Sequence, residues 1–276
     1  MFPLCLNTST IRPRSLTEKI ETAARAGFDL VELWSEDVEA FVAGGGSLAA
    51  LRAHLHHAGL RVPSMIALTG WADLDAAAFA HRLETDIRER LETAAALESP
   101  FLVASPPFKR TVDLAVVGER YAQLLALGRR IGVRPTMEFL GFVPQVNGIR
   151  VCLEVVARAN DPDATLVLDP FHVFRGGGGF GDVRLVPGYA IGICHFNDAP
   201  GDKPRESQRD ADRVLPGDGT LPLADMVRSL HAVGYHGPIS LELFNEALWQ
   251  RDPVEVAAEG CRRMRQIVQA AAPAAR

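Results

Sequence analysis

Leu166-Val167-Leu168-Asp169-Pro170-Phe171-His172 is the stretch whose reading decides the fold. Three apolar residues run into an aspartate, and a proline follows at once. A short apolar run bounded this way reads as a buried strand, and proline cannot continue it. Asp169 is therefore expected at the C-terminal lip of a strand, with His172 on the loop just beyond. The same pattern recurs in Met137-Glu138-Phe139, in Ile193-Cys194-His195-Phe196-Asn197 and in Ser240-Leu241-Glu242-Leu243. Four apolar strands each deliver one Asp, Glu or His.

Working outward, strands are expected at Pro3–Asn7, Phe28–Trp34, within Leu60–Leu68, and at Phe101–Ala104, Val133–Phe139, Thr165–Leu168, Ala190–Phe196 and Pro238–Leu243. Helical patterns lie between them. Ser15-Leu16-Thr17-Glu18 is a capping box opening a helix that Gly27 stops. Ser47 caps a helix stopped by Gly59, and one long Ala-rich helix is expected over Ala76–Leu97. Further helices are expected at Val112–Ile131, Gly148–Arg158, Leu223–Val233 and Val254–Ala271. Thr8–Arg14, Ser35–Gly46 and Asp198–Gly219 read as loops, with a short helical turn near Asp182–Val186. Eight strands alternating with helices imply a parallel sheet, and this length suits a closed (β/α)8 TIM barrel. A doubly wound open sheet is the alternative. No composition break marks a second domain, so residues 1–276 are expected to form one barrel domain. In such a barrel the C-terminal strand ends form the functional face. The four acid and histidine positions fall there, and Glu32 and His172 are candidates for the same face.

The bulk composition narrows the function classes. The chain has 276 residues, 47% hydrophobic and 23% charged, with a net charge of −5. A nucleic-acid footprint would be basic. Four cysteines, Cys5, Cys152, Cys194 and Cys261, form no C-x-x-C pair, which suggests neither a zinc knuckle nor a disulfide framework. No signal peptide is visible and no apolar run nears the ~20 residues of a spanning helix. A cytoplasmic protein with neither a nucleic-acid nor a membrane partner is the expectation.

Glu138, Asp169, His195 and Glu242 would converge on one mouth. Three carboxylates in a buried site repel one another unless something positive joins them. Oxygen and imidazole donors together suit one divalent ion, Mn²⁺, Zn²⁺, Mg²⁺, Co²⁺ or Fe²⁺. Any one of these residues alone is as readily a satisfied core polar group; four at matching strand ends are not. His172 is a candidate to hydrogen-bond a substrate hydroxyl or oxyanion. Arg213, in Asp212-Arg213-Val214-Leu215-Pro216-Gly217-Asp218-Gly219, could reach back over the mouth and fork onto substrate oxygens, or form a surface salt bridge. His54, His56 and His57 read as a solvated helix face. Gly176–Gly179 lacks dinucleotide-loop spacing. Trp34 and Trp71 are candidates either for pocket walls or for core packing.

These motifs resemble the xylose isomerase-like family of sugar (phosphate) isomerases and epimerases. The resemblance covers nearly the whole chain. It is densest in Met-Glu-Phe-Leu-Gly from Met137, in the opening stretch, in His-Phe-Asn-Asp from His195, in the Asp212–Gly219 motif, and in Ile-Ser-Leu-Glu-Leu-Phe from Ile239. The N-terminal Leu-Cys-Leu-Asn-Thr-Ser-Thr and Gly-Phe-Asp-Leu-Val-Glu-Leu fit the inosose isomerase branch of inositol catabolism. The resemblance implies that Glu138, Asp169, His195 and Glu242 are divalent-metal ligands. It implies that Glu138 and Glu242 are the catalytic pair moving protons, and that His172 and Arg213 bind substrate. A homodimer is compatible with it.

The implied activity moves a proton beside a ketone of a sugar or cyclitol through a metal-stabilised enediolate, as an inosose (2-keto-myo-inositol) isomerase would. Dehydration of a keto-cyclitol or of 3-dehydroshikimate, and ketose 3-epimerisation, are the alternatives. Gly141–Pro144 holds no acid where the family's ketose epimerases often carry a Glu. The superfamily's trinuclear-zinc endonucleases need extra histidines that Ser64–Leu68 and Phe101–Pro107 lack, so a single-ion site is expected. A catalytically idle sugar-binding barrel is the non-enzyme alternative.

Overall fold

A computed structural model describes residues 2–108 and 110–272. Its centre is eight short strands: β1 (Leu4–Asn7), β2 (Leu30–Trp34), β3 (Met65–Leu68), β4 (Phe101–Ala104), β5 (Arg134–Met137), β6 (Thr165–Leu168), β7 (Ile191–Phe196) and β8 (Ile239–Leu241). They pair in sequence order into a closed barrel. Every pair is parallel, and β1 meets β8 with Leu6 opposite Leu241. The chain folds as the (β/α)8 barrel its alternation predicts.

Local chemistry explains the outer elements. Ser15 Oγ accepts from the Glu18 backbone N–H while Glu18 Oε2 accepts from Ser15 N–H, so the expected capping box forms. Gly27 beyond the helix Leu16–Arg25 adopts φ +82°, where a side chain would be strained. A continuous apolar core joins the barrel to its helices. Inside the barrel lies a second, small cluster of Ile66, Ala67, Val103, Val167 and Ile193, with Trp34 packed on it. Trp71 is wholly buried in the outer core rather than in a pocket wall. Among the described residues no helix is long and apolar enough to cross a membrane.

Four expectations change. The Ala76–Leu97 helix is two, Ala76–Glu84 and Asp86–Ala96, broken at Thr85 (φ −116°, ψ −106°). Thr85 Oγ1 donates back to the His81 carbonyl at 3.0 Å, a local bond that competes with the helix ladder. Ser35–Gly46 is not all loop, because Ser35–Ala43 is helical, with Glu36 and Asp37 in its first turn where acids favour the helix dipole. Thr8–Ile11 is a wholly buried 3-10 turn. His172 sits not on a loop but in the short helix Pro170–Arg175. Pro170 ends the strand as expected, but its fixed φ then suits the first position of a helix capped by Asp169.

Tyr121, buried on the helix Leu114–Ile131, ties β5 to β6. Its hydroxyl lies 3.0 Å from the Pro135 carbonyl and 2.7 Å from that of Thr165, and it accepts from Thr165 N–H at 3.2 Å. Tyr121→Phe should cost about 1–3 kcal/mol by stranding those groups. Each kcal/mol should appear as a fall of about 2–4 °C in the thermal midpoint.

Candidate metal centre

The barrel ladder runs slightly past the strands and so fixes where the acids point. Glu138 N–H donates to the Ala104 carbonyl at 3.0 Å, and Glu242 N–H to that of Phe196 at 3.3 Å. Asp169 follows β6 and caps the next helix, its Oδ1 accepting from His172 N–H at 3.0 Å. His195 lies within β7, opposite Ser240 of β8.

All four expected ligand residues meet at His195 Nδ1. That atom lies 3.1 Å from Glu242 Oε2, 3.4 Å from Glu138 Oε1 and 3.6 Å from Asp169 Oδ2. It makes no hydrogen bond among the described residues, although wholly buried. Donor atoms of Glu138, His195 and Glu242 all fall within 4.8 Å of one another. Asp169 stands just outside that group, its Oδ2 taken by Arg213 Nη1 at 2.9 Å and Asn197 Nδ2 at 3.1 Å. An unpartnered buried imidazole nitrogen facing three carboxylates fits a divalent cation.

Arg213 does reach back to the mouth, as the sequence suggested. Its Nη groups, however, are engaged with the protein. Nη1 also donates to Glu242 Oε2 at 2.6 Å, and Nη2 to Asp210 Oδ1 at 2.6 Å. Phe171 and Phe244 flank the guanidinium at 4.9 and 5.3 Å. Nη2 also meets His172 Nε2 at 3.0 Å. A guanidinium only donates, so His172 accepts there and carries its proton on Nδ1. That nitrogen and Arg213 Nε are both buried and unpartnered among the described residues.

The electrostatics follow from this crowding. Burial raises the Glu138 carboxyl above its usual range. Burial pushes Glu242 the same way, but His195 and Arg213 overcome it and hold Glu242 low. Asp169 is held lower still, since Arg213 and His172 outweigh its burial. Burial would depress His195, yet Glu242 and Glu32 lift it well above an ordinary imidazole.

Above these groups is a cavity of about 200 Å³. Trp34, Ile66, Phe108, Leu140, Phe142 and Phe244 form apolar walls, while Glu138, His172, Asp210, Arg213 and Glu242 are among the residues that supply polar atoms. Trp34 is thus a pocket wall. Glu32 reaches the site from β2, wholly buried. Asn7, Asn197, Asp210 and Ser240 were not singled out from the sequence. Asn7 and Asn197 carried one usable signal, since each ends or follows a strand as the acids do.

A parallel eight-stranded barrel with its polar cluster at the C-terminal strand ends is the architecture of (β/α)8 enzymes. The chain belongs to the xylose isomerase-like TIM barrel family, whose model matches residues 20–267. It is 28% identical to an inosose isomerase of Halalkalibacterium halodurans over 90% of this chain and 89% of that protein. It is 27% identical to a 3-dehydroshikimate dehydratase of Pseudomonas putida over 91% of this chain but 39% of that protein. Among solved structures, a zinc-bound IolI protein matches with a TM-score of 0.91 at 24% identity, covering 98% of this chain and 99% of that one.

Arg213→Ala would leave Asp169 and Glu242 buried without their shared cation. Urea unfolding of the metal-free protein should then show a loss of about 3–5 kcal/mol. An unchanged midpoint would mean that the guanidinium does not neutralise this pair.

Proposed function

We propose that the chain is a divalent-metal-dependent isomerase of a small polyhydroxylated ketone, with an inosose (2-keto-myo-inositol) as its substrate. The observation that carries this is the pair Glu138 and Glu242 at His195 Nδ1, beneath a cavity of monosaccharide scale. Similarity to inosose isomerases along most of the chain supports the choice of substrate. Glu138, Asp169, His195 and Glu242 would hold the ion, and His172 and Arg213 would bind the substrate. When bound, the ion supplies Lewis acidity that stabilises negative charge developing on the substrate oxygens.

The remaining work falls to the side chains. Glu138 accepts no hydrogen bond among the described residues, so its carboxylate is available to take the proton from the carbon beside the ketone. His172 Nδ1–H, buried and unpartnered, donates to the oxygen that becomes an enolate. Glu138 then delivers the proton it took to the neighbouring carbon, while Glu242, whose oxygens accept from Arg213 and Asn7, stays ionised on the opposite side. Mn²⁺, Zn²⁺, Mg²⁺, Co²⁺ and Fe²⁺ all suit this donor set.

A dehydratase is the second reading, favoured by the 27% identity to the 3-dehydroshikimate enzyme. It shares the first proton removal and then expels a hydroxyl as water instead of reprotonating carbon.

Proton NMR in D₂O of the Mn²⁺-loaded protein with 2-keto-myo-inositol tests the proposal. Deuterium should enter a carbon beside the ketone and an isomeric inosose should accumulate. Metal-loaded protein that gives neither would overturn the inosose reading, and an aromatic product from 3-dehydroshikimate would establish the dehydratase. Glu138→Gln should lower kcat by about 10²–10⁴-fold, and near-normal turnover would remove Glu138 from the proton-carrying role.

A further inference from the structure

We propose that Glu32 is a positioning residue that leaves His195 Nδ1 free to bind the metal, the middle link of a hydrogen-bond relay whose direction is set by the Ser9 amide and the Trp34 indole. This deepens the metal-centre reading above and rests on it.

The direction can be followed atom by atom. Trp34 Nε1 can only donate, and it lies 2.9 Å from Asn7 Oδ1. The Ser9 backbone N–H, also donor-only, meets the same oxygen at 2.9 Å. Two obligate donors on one atom fix which end of the Asn7 amide is oxygen. Its NH₂ therefore faces Glu32 Oε2 at 2.8 Å and Glu242 Oε1 at 3.1 Å, giving two hydrogens to two carboxylates. Glu32 Oε2 also accepts from Ser240 Oγ–H at 2.8 Å. His195 Nε2 faces the same carboxylate, 3.3 Å from each of its oxygens, of which Oε1 has no other partner among the described residues.

Asn7, Glu32, His195 and Ser240 are all fully buried, and these bonds are the partners the protein itself supplies them. Glu32 acts as an acceptor throughout, and His195 carries a proton on Nε2. In the neutral imidazole the lone pair is then on Nδ1, the nitrogen facing Glu138, Asp169 and Glu242. A carboxylate behind a ligating histidine is how metal sites fix the imidazole tautomer and orientation. Here the order is imposed by the Ser9 amide and the Trp34 indole together; Trp34 lines the mouth cavity and is outside the proposed ligand set.

The test uses the full chain, purified without metal, as wild type, Glu32→Gln, Ser240→Ala and Trp34→Phe. Glu32→Gln keeps the shape, but its amide NH₂ can face His195 Nε2 and drive the ring proton onto Nδ1. Zn²⁺ affinity should fall about 10–100-fold in this variant, with a smaller loss in the same direction for the other two. Nitrogen-15 NMR of the Zn²⁺-loaded wild type should show His195 protonated at Nε2 and coordinated through Nδ1. The Nε2 proton, far downfield against a carboxylate, should move upfield in Glu32→Gln. A merely structural Glu32 would lower thermal stability and leave both the affinity and that proton signal in place, which would overturn the relay. If Glu32→Gln does not fold, Trp34→Phe and Ser240→Ala decide, and wild-type affinity in both would overturn it equally. A wild type that takes up no Zn²⁺ would bring down the metal reading and the relay together, whereas tight binding by every variant would bring down the relay alone.

Discussion

Four buried carboxylates, Glu32, Glu138, Asp169 and Glu242, converge on one barrel mouth, and the rest of the site is arranged to let them coexist. Like charges repel strongly where water is excluded. Each carboxylate meets a different answer. Asp169 has Arg213, Asn197 and the N-terminus of the helix it caps. Glu242 shares Arg213 and accepts from Asn7. Glu32 accepts from Asn7, Ser240 and His195. Glu138 alone has no hydrogen-bond donor among the described residues, and burial pushes its carboxyl up.

The scaffold makes these answers possible by closing on itself. Pairing of β1 with β8 brings Asn7 beside Glu242, although 235 positions separate them in sequence. Thr10 locks the same seam, its Oγ1 donating to the Leu241 carbonyl at 2.9 Å and accepting from Leu243 N–H at 3.2 Å. The long loop after β7 is fixed just as firmly. Asp198 accepts from the backbone N–H groups of Ala199, Gly217 and Leu221. A Cβ at Gly219 would fall 2.3 Å from both Asp198 Oδ1 and the Ala199 carbonyl, so only glycine lets that turn close. Asn245 Nδ2 then holds the Arg213 carbonyl at 3.0 Å. The guanidinium is thus placed from its backbone as well as from its head.

The barrel was legible in the sequence because each strand is a short apolar run with a polar or proline stop. That signal is local, as are Ser15 with Glu18 and the glycines beyond helix ends. Glu138, Asp169 and Glu242 were legible for the same reason, each standing where an apolar run ends, and His195 because it interrupts such a run one residue before its end. The misread elements depend on choices that composition leaves open. Pro170 ends a strand and begins a helix with one ring, and sequence displays only the first act. Thr85 breaks an Ala-rich helix through a single side-chain bond. The neutral donors were harder still. Asn7 and Ser240 carry no charge pattern, and their meeting with Glu32 exists only once β1, β2 and β8 are neighbours. Arg213 was visible as a residue able to return to the mouth, but spacing could not show that it would engage Asp169 and Glu242.

On the proposed reading, the two flanking glutamates are not equivalent. Each oxygen of Glu242 already accepts a hydrogen bond, from Asn7 on one and Arg213 on the other. Taking up a proton there means giving up one of those bonds in a dry site, where an unmade bond to a charged group is costly. Both glutamates line the cavity, but Glu138 has no such commitment. It can gain or lose a proton with little rearrangement of its neighbours. A rigid carboxylate on one side and a free one on the other suit a reaction in which one group must stay in place while its counterpart changes state. The cavity walls sharpen that division, because Trp34, Phe142 and Phe244 offer no proton acceptor and Asp210, another carboxylate lining the cavity, is engaged by Arg213 Nη2.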